Sequence, residues 1–477
     1  MAPTRLANVG IAAVISVVAT ACQGSTVAAP TGSASASVAM TANPSPADWT
    51  TYMGDTMRSG VGPATPRATS PHRTWTAKVD GDMYAEPLVA GLSVIVATEQ
   101  DTIYALNAAT GAVRWRQHLG DPVPLRLLEC GNIDPNGITS TPTLDTAAGI
   151  VYAVAMLNAP IRHELFALKL SDGSIVWHRV VDPPGEDPGH QQQRGSLNLF
   201  NSRIYFSWGG FTGDCGRYHG WVMAAPADGS GRLLTWQVPS VNRGAIWAPP
   251  GPVISPDGNI WVTTGDTDVQ AQEGVYDGAN AVVRLTADLS PIDQWASKEW
   301  RYLNQYDIDQ ASMSPALLPD GLVFIAGKEG VGFLLRASHL GGIAGEAFNA
   351  RACKSGGPAL GAFGGAAVAA GLVFVPCKDG LAALRIDASK PSFTLAWEAA
   401  PYANSAIFAY GLVWTVASDA GTYRGTWKGT LYGLDPTNGA VRAHLPLGLI
   451  PHYPSPAAAG GSLYVAGLGV VYAVSIS

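Results

Sequence analysis

From Asp101 to Trp115 the chain reads DTIYALNAATGAVRW, and buried-type and exposed-type positions alternate over 102–106. A period of two predicts a strand with one face turned inward. A tight turn at 108–111 follows, where Gly111 can take a positive φ at little steric cost, and a second strand ends on Trp115. The predicted unit is a β-hairpin with Ala105, Gly111 and Trp115 at offsets 1, 7 and 11. Small residues at fixed distance from a Trp suggest a ring that lies over the small residues of a neighbouring unit. The offsets return in ALKLSDGSIVW as Ala167, Gly173 and Trp177. A weaker copy, GLDPTNGAVRA, keeps Gly433 and Gly439 but has Ala443 in place of the Trp. Recurrence at long period marks a repeat protein.

The same phrase recurs along the chain: a small-residue strand, a turn, a β-rich strand, a hairpin and often a terminal Trp. Seven modules are expected at about 85–119, 140–181, 195–239, 251–297, 313–350, 363–400 and 403–448. The third, fourth and sixth end near Trp236, Trp295 and Trp397, and the fifth lacks the Trp. An eighth begins at Ser455 and stops before its last strand, whereas the segment 73–79 near the start is a lone strand carrying Trp75. The economical expectation is that Trp75 supplies the missing outer strand, closing a ring and leaving no sheet exposed at either end. This predicts an all-β, eight-bladed β-propeller of four-stranded antiparallel blades. An open solenoid or a pair of sandwiches is the competing architecture.

Composition adds the compartment. The 477 residues include 55 Gly and 34 Pro, and only 14% are charged, which suits many short strands joined by tight turns. A formal net charge of -7 without a basic cluster argues against a nucleic-acid partner. Arg5, the apolar run 9–18 and the small residues up to Cys22 read as a signal peptide over 1–21, too short for a span of ~20 apolar residues. Ala19-Thr20-Ala21-Cys22 resembles a bacterial lipoprotein cleavage box with Ala19 where Leu is usual, so Cys22 is the expected lipidation site. An ordinary secretory signal cleaved nearby is the alternative. Residues 22–46 are Ser, Ala, Thr, Gly and Pro without apolar period, a flexible tether, and 47–477 form the propeller. Four cysteines remain in an exported chain, Cys130, Cys215, Cys353 and Cys377, and they allow three pairings. Cys130–Cys215 with Cys353–Cys377 is preferred, because each would join neighbouring repeats. No CxxC spacing or Cys–His pattern favours a thiolate metal site.

The repeat with Ala, Gly and Trp at these offsets resembles the tryptophan-docking repeat of pyrroloquinoline-quinone (PQQ) quinoprotein propellers, and the opening DWTTYMGD at 48–55 resembles their N-terminal phrase. The resemblance extends over 48–477. It implies the propeller fold but leaves activity open, because the repeat serves both PQQ-dependent dehydrogenases and silent propellers such as the lipoprotein of the outer-membrane β-barrel assembly machinery.

The resemblance implies a site residue by residue. Tyr306-Asp307-Ile308-Asp309 resembles the Trp-Asp-Tyr-Asp phrase of the dehydrogenases, so Asp307 takes the catalytic position, with Tyr306 in place of the Trp. Gly327-Lys328-Glu329-Gly330 resembles the phrase whose lysine contacts the quinone, which assigns that role to Lys328. VTTGD at 262–266 resembles a strand end whose Asn binds calcium, and Asp266 stands there. Trp247 lies where the ring-stacking Trp is expected, and Asp214 is the nearest match to the calcium glutamate. The implied metal set is Asp214, Asp266 and Asp307, all hard oxygen donors. Ordinary roles compete with each. An Asp in a loop commonly accepts backbone N–H bonds, and a Trp commonly packs in the core. Lys328, beside Gly327 in a turn, would ordinarily point into solvent. His219, beside Cys215, faces either a ligand or its own loop. Two features depart from the dehydrogenases: no adjacent Cys–Cys pair and no CxxCH haem motif. The expected protein is an exported, lipid-anchored, monomeric binding or scaffold propeller at the outer face of a bacterial membrane. Its partner would be an envelope protein or small-molecule ligand, and the anchor its only membrane contact. The alternative is a PQQ- and calcium-dependent dehydrogenase of an alcohol or sugar. A glycosidase or lyase with two facing carboxylates is a third possibility.

Overall fold

The computed structural model describes residues 48–268, 275–399, 403–418 and 427–477. The expected signal peptide (1–21), tether (22–46) and Cys22 lie outside the described residues. The fold is an all-β, eight-bladed propeller of antiparallel sheets. Blades 1 to 7 take their strands in chain order from the inside outwards, as in blade 2 with Thr143–Asp145, Ile150–Leu157, Arg162–Lys169 and Ile175–Val180. The second and third strands of that blade carry Val151, Ala153, Ala155, Leu165, Ala167 and Leu168 at zero exposure, whereas the outermost exposes Ile175, Val176 and Val180. Blade 4 adds a short fifth strand, Gly342–Ile343, parallel to Pro291–Ala296.

Blade 8 is assembled from both ends of the propeller sequence. Its inner strands are Ala457–Ala459, Ser462–Ala466 and Leu468–Ser475, and its outermost is His72–Asp82, paired antiparallel with Trp75 opposite Ala473. The tryptophans lie over the glycines of the following blade. A β-carbon on Gly111 would lie 2.6 Å from the Trp75 ring, and one on Gly173 would lie 2.5 Å from that of Trp115. Gly229 and Gly439 receive Trp177 and Trp397 in the same way. The indole N–H of Trp75, Trp115 and Trp397 donates to Ala108, Leu170 and Pro436 carbonyls at 2.9–3.0 Å. Only glycine, at φ 73° and 76°, gives Gly111 and Gly173 both the turn and room for the ring.

The N-terminal segment 49–62 laces across the innermost strands. Trp49 exchanges backbone bonds with Val89 of blade 1, and Thr50 accepts from Leu144 of blade 2. Thr56 accepts from Ile254 of blade 4, Ser59 from Val368 of blade 6, and Gly60 from Phe408 of blade 7. Arg58 is buried and donates to the Leu197 carbonyl of blade 3 at 2.9 Å and to Pro250 at 3.0 Å. This strap meets the strand Gln191–Phe200 at Leu197, beyond the end that carries Gln192 and Arg194. The two cross-links are Cys130–Cys215 and Cys353–Cys377.

Candidate active site in the central funnel

Gln192 and Arg194 open onto a cavity of about 900 Å³ lined by residues from blades 3, 4, 5, 7 and 8 and the loops between them. Asp214, Trp247, Asp266, Asp307 and Lys328, single residues spread over more than 100 positions, all line it, as does Cys130. Asp266 follows the blade 4 strand Ile260–Thr263, and Lys328 follows the blade 5 strand Leu322–Ala326. Asp307 leaves the short helix Trp300–Gln305 in a left-handed conformation, φ 53°, which Asp tolerates better than most side chains.

Lys328 is buried, not solvated. Its Nζ bonds Asp307 Oδ1 at 2.6 Å and Asp309 Oδ2 at 2.6 Å, because the loop carrying both aspartates folds back over the end of its strand. Asp309 Oδ1 also accepts the backbone N–H of Asp266 at 2.8 Å, tying blade 4 to the same loop. Oxygens of Asp266, Asp307 and Asp309 come within 4.8 Å of one another, a spacing that one cation can bridge. Asp214 stands outside that triplet, its Oδ1 accepting the Tyr218 hydroxyl at 2.5 Å. Among the described residues a second grouping, Cys353, Cys377 and Asp379, offers no thiolate because both sulfurs are spent in a disulfide.

The electrostatics follow from burial. Asp266 is held well above the usual carboxylate range by loss of water and by Asp309, Asp214 and Asp307. Asp307 is pushed up to about 6 by partial burial and by Asp309. Burial acts upward on Asp309 too, but Lys328 and the Asp266 N–H outweigh it and hold it at about 2. Lys328 is raised because its two carboxylate partners outweigh its own desolvation. Arg243 approaches Asp266 at 3.5 Å. Asp214 is likewise raised by burial, so the corner gathers carboxylates whose charged forms are disfavoured unless a cation faces them.

Trp247 carries Lys328 Nζ at 5.7 Å and Arg194 Cζ at 6.0 Å from its ring centre. Phe363 and Tyr453 stack at 5.5 Å beside it, with Lys378 Nζ 4.6 Å from both rings. Arg194, Tyr453, Phe363 and Asp309 are site residues that the sequence reading did not assign. The Asp-x-Asp spacing was the available signal for Asp309; nothing local marks Arg194 among glutamines in a strand. His219 does not line the cavity. It bonds Glu186 at 2.7 Å and the Val241 carbonyl at 3.0 Å, a packing role within its loop.

Residues 67–274 match the family model described as outer membrane protein assembly factor BamB. The fold superposes on quinohemoprotein alcohol dehydrogenase from Comamonas testosteroni with a TM-score of 0.68 at 16% identity, covering 90% of this chain and 80% of that one. The chain is an eight-bladed β-propeller similar to the PQQ-type propellers. Other PQQ-type relatives divide along the same line. A europium-containing methanol dehydrogenase aligns with a TM-score of 0.67 at 12% identity, over 90% of this chain and 98% of that one. BamB from Moraxella catarrhalis aligns with a TM-score of 0.55 at 12% identity, over 85% and 98%. In sequence, the polyvinylalcohol dehydrogenase of Sphingopyxis sp. (strain 113P3) is 25% identical over 248 residues, 46% of this chain. The match spans about a third of that relative's length, 34%.

Proposed function

We propose that this PQQ-type propeller is a quinoprotein dehydrogenase acting on an alcohol, with PQQ and a divalent cation, calcium by its donors, held in the central cavity. The observation that carries the reading is the convergence of Asp266, Asp307, Asp309 and Lys328 beside Trp247 in one cavity. The donor set fits both groups. Three carboxylates with oxygens within 4.8 Å of one another suit a hard cation. The Trp247 face, with Lys328 and Arg194 over it, suits a flat, oxygen-rich anion. When bound, the pair would supply an acceptor for the hydride of the alcohol, which carries its two electrons, with a Lewis acid beside it.

The chain's own residues have separable tasks. Asp307, the most exposed of the carboxylates, is the group able to take the hydroxyl proton, and an acid near 6 is ionised and basic enough for that at neutral pH. Asp309 positions Lys328 and the Asp266 backbone. Lys328 supplies the positive charge beside the acceptor. Cys130, joined to Cys215, lines the cavity, so a disulfide borders the site without the adjacent pair of the dehydrogenases. Export is supported by the two disulfides and by the Cys22 box, with the lipid anchor placing the propeller at the outer face of a membrane.

The second reading is a binding or scaffold propeller at the envelope, favoured by the BamB-described family match over 67–274. Titrating the chelator-stripped chain with PQQ and calcium separates the two. The dehydrogenase reading expects a calcium-dependent rise in melting temperature and dye reduction with alcohols, the turnover lost in Asp307→Ala. No thermal shift at saturating PQQ would leave the scaffold reading in its place.

A further inference from the structure

A second pair of acids stands in blade 1, outside the central cavity. Glu99 and Asp101 lie in the turn that joins Ser93–Ala97 to Thr102–Asn107. Neither lines the cavity, although Asp82, whose carbonyl accepts the Glu99 N–H at 2.9 Å, does. Glu99 is 1% exposed and Asp101 is 0% exposed. Acidic side chains are almost never buried so completely without a partner.

Yet only one of the four carboxyl oxygens is satisfied among the described residues. Glu99 Oε2 accepts the Gly137 N–H at 2.7 Å and the Thr139 hydroxyl at 3.2 Å. Glu99 Oε1, Asp101 Oδ1 and Asp101 Oδ2 are buried with no hydrogen-bond partner. A glycine holds these groups close. A β-carbon on Gly137 would lie 2.4 Å from the Glu99 carbonyl oxygen and 2.8 Å from Asp101 Oδ1, so those two oxygens stand at most about 5 Å apart.

Protonation relieves the charge but not the geometry. Burial pushes Glu99 up to about 8 and Asp101 well above the usual carboxylate range, and Glu99 and Asp121 act on Asp101 through charge, not through a hydrogen bond. A neutral carboxyl still carries an O–H, and none of the three free oxygens has an acceptor to give it to. A cation would remove the repulsion and satisfy the three oxygens together.

We propose that Glu99 and Asp101 form a structural calcium site between blade 1 and its connection to blade 2, with Glu99 Oε1, the Asp101 carboxyl oxygens and the Glu99 carbonyl as donors. These are hard donors, and calcium accepts the uneven, partly bidentate set that magnesium does not. A cavity of about 10 Å³ bordered by Asn136, Gly137 and Thr139 has room for one water to add to them. The ion pins the turn 98–101 against Gly137. The site is separate from the Asp266, Asp307 and Asp309 corner and does not rest on the dehydrogenase reading.

Calcium titration of the chelator-stripped full chain without PQQ, by calorimetry and by thermal denaturation, tests it. Asp266→Asn/Asp307→Asn removes two funnel donors and keeps the Lys328–Asp309 ion pair. That double variant is expected to retain one bound calcium and a calcium-dependent rise in melting temperature. Adding either Asp101→Asn or Glu99→Gln is expected to weaken the binding at least about tenfold, because half of the carboxylate charge is lost. The second substitution decides the matter if the first does not fold. Two outcomes would overturn the proposal: no calcium bound by Asp266→Asn/Asp307→Asn at about 1 mM, the weak end of calcium modules, or binding that neither added substitution changes. A wild-type ion lost only in the double variant keeps the funnel site and sinks this one; an ion lost only with Asp101→Asn or Glu99→Gln keeps this site and sinks the other.

Discussion

Lys328 decides the charge state of the candidate site. It neutralises two aspartates that sit two residues apart, and without it buried Asp309 would face Asp266 and the more exposed Asp307 with no ammonium partner. Removing one partner from a buried ion pair typically costs about 3–5 kcal/mol, because the other is left uncompensated. Lys328→Met should therefore lower the melting temperature sharply in chelator. Calcium should recover more of that loss than it adds to the wild type, since the ion replaces the missing positive charge. Thermal denaturation of both proteins with and without calcium reads this directly; equal calcium effects would mean that the aspartates do not form a cation site. The residues themselves were legible in sequence because each sits in a short phrase: Asp307 in YDID, Lys328 in GKEG, Asp266 in VTTGD. What was not legible was their state. A lysine beside glycine in a turn reads as solvated, and only the fold brings Asp307 and Asp309, about twenty positions upstream, around it.

At the scale of elements, the strap 49–62 ties the innermost strands of the ring together. Its backbone satisfies inner-strand groups in several blades at once, and one buried carboxyl anchors it: Glu86 Oε1 accepts from Trp49 Nε1 at 2.5 Å and from Met53 N at 3.0 Å. Desolvation raises Glu86 from 4.5 to about 7, with hydrogen bonds and Arg58 opposing the rise. The sign follows: the folded state keeps a proton that the unfolded chain has released, so stability falls as pH rises from about 4.5 to about 7 and is then flat. A shift of this size corresponds to about 3 kcal/mol. Urea denaturation at pH 5 and pH 7.5 should show that Glu86→Gln removes roughly this much of the wild-type pH dependence. An unchanged pH profile in the variant would mean that Glu86 is already ionised in the fold. The segment 48–55 was read as a phrase shared with the PQQ repeat family, but its course was not readable. A segment with no strand period has no preferred face, and its route is set by the open backbone groups of the strands that it meets.

At the scale of the molecule, the question is whether the seam between blades 8 and 1 is an interface like the others. The period-two strands and spaced tryptophans made the blade count legible. The position of Trp75, ahead of the first complete hairpin, pointed to a blade built from both ends. The contacts at the seam repeat those within the array: Trp75 lies on Gly111 and donates to Ala108 at 3.0 Å, as Trp115 lies on Gly173 and donates to Leu170 at 3.0 Å. In an open array, loosening a terminal unit costs only that unit, because each repeat is stabilised by its nearest neighbours alone. In a ring the two ends stabilise each other, and a cut anywhere is felt throughout. Trp75→Ala and Trp115→Ala remove the same half-buried ring from equivalent contacts, so a ring requires similar losses for both, on the order of 2–4 kcal/mol each. It further requires that both variants keep a single cooperative unfolding transition. Calorimetry distinguishes the cases. A Trp75→Ala protein that melts in two steps, with an early transition of the blade 8 sheet and an unshifted remainder, would describe an array whose ends merely touch. A single transition displaced as far as that of Trp115→Ala would make the seam a full interface and tie the rigidity of the funnel, where blades 3 to 5 face blades 7 and 8, to the pairing of His72–Asp82 with the C-terminal strand.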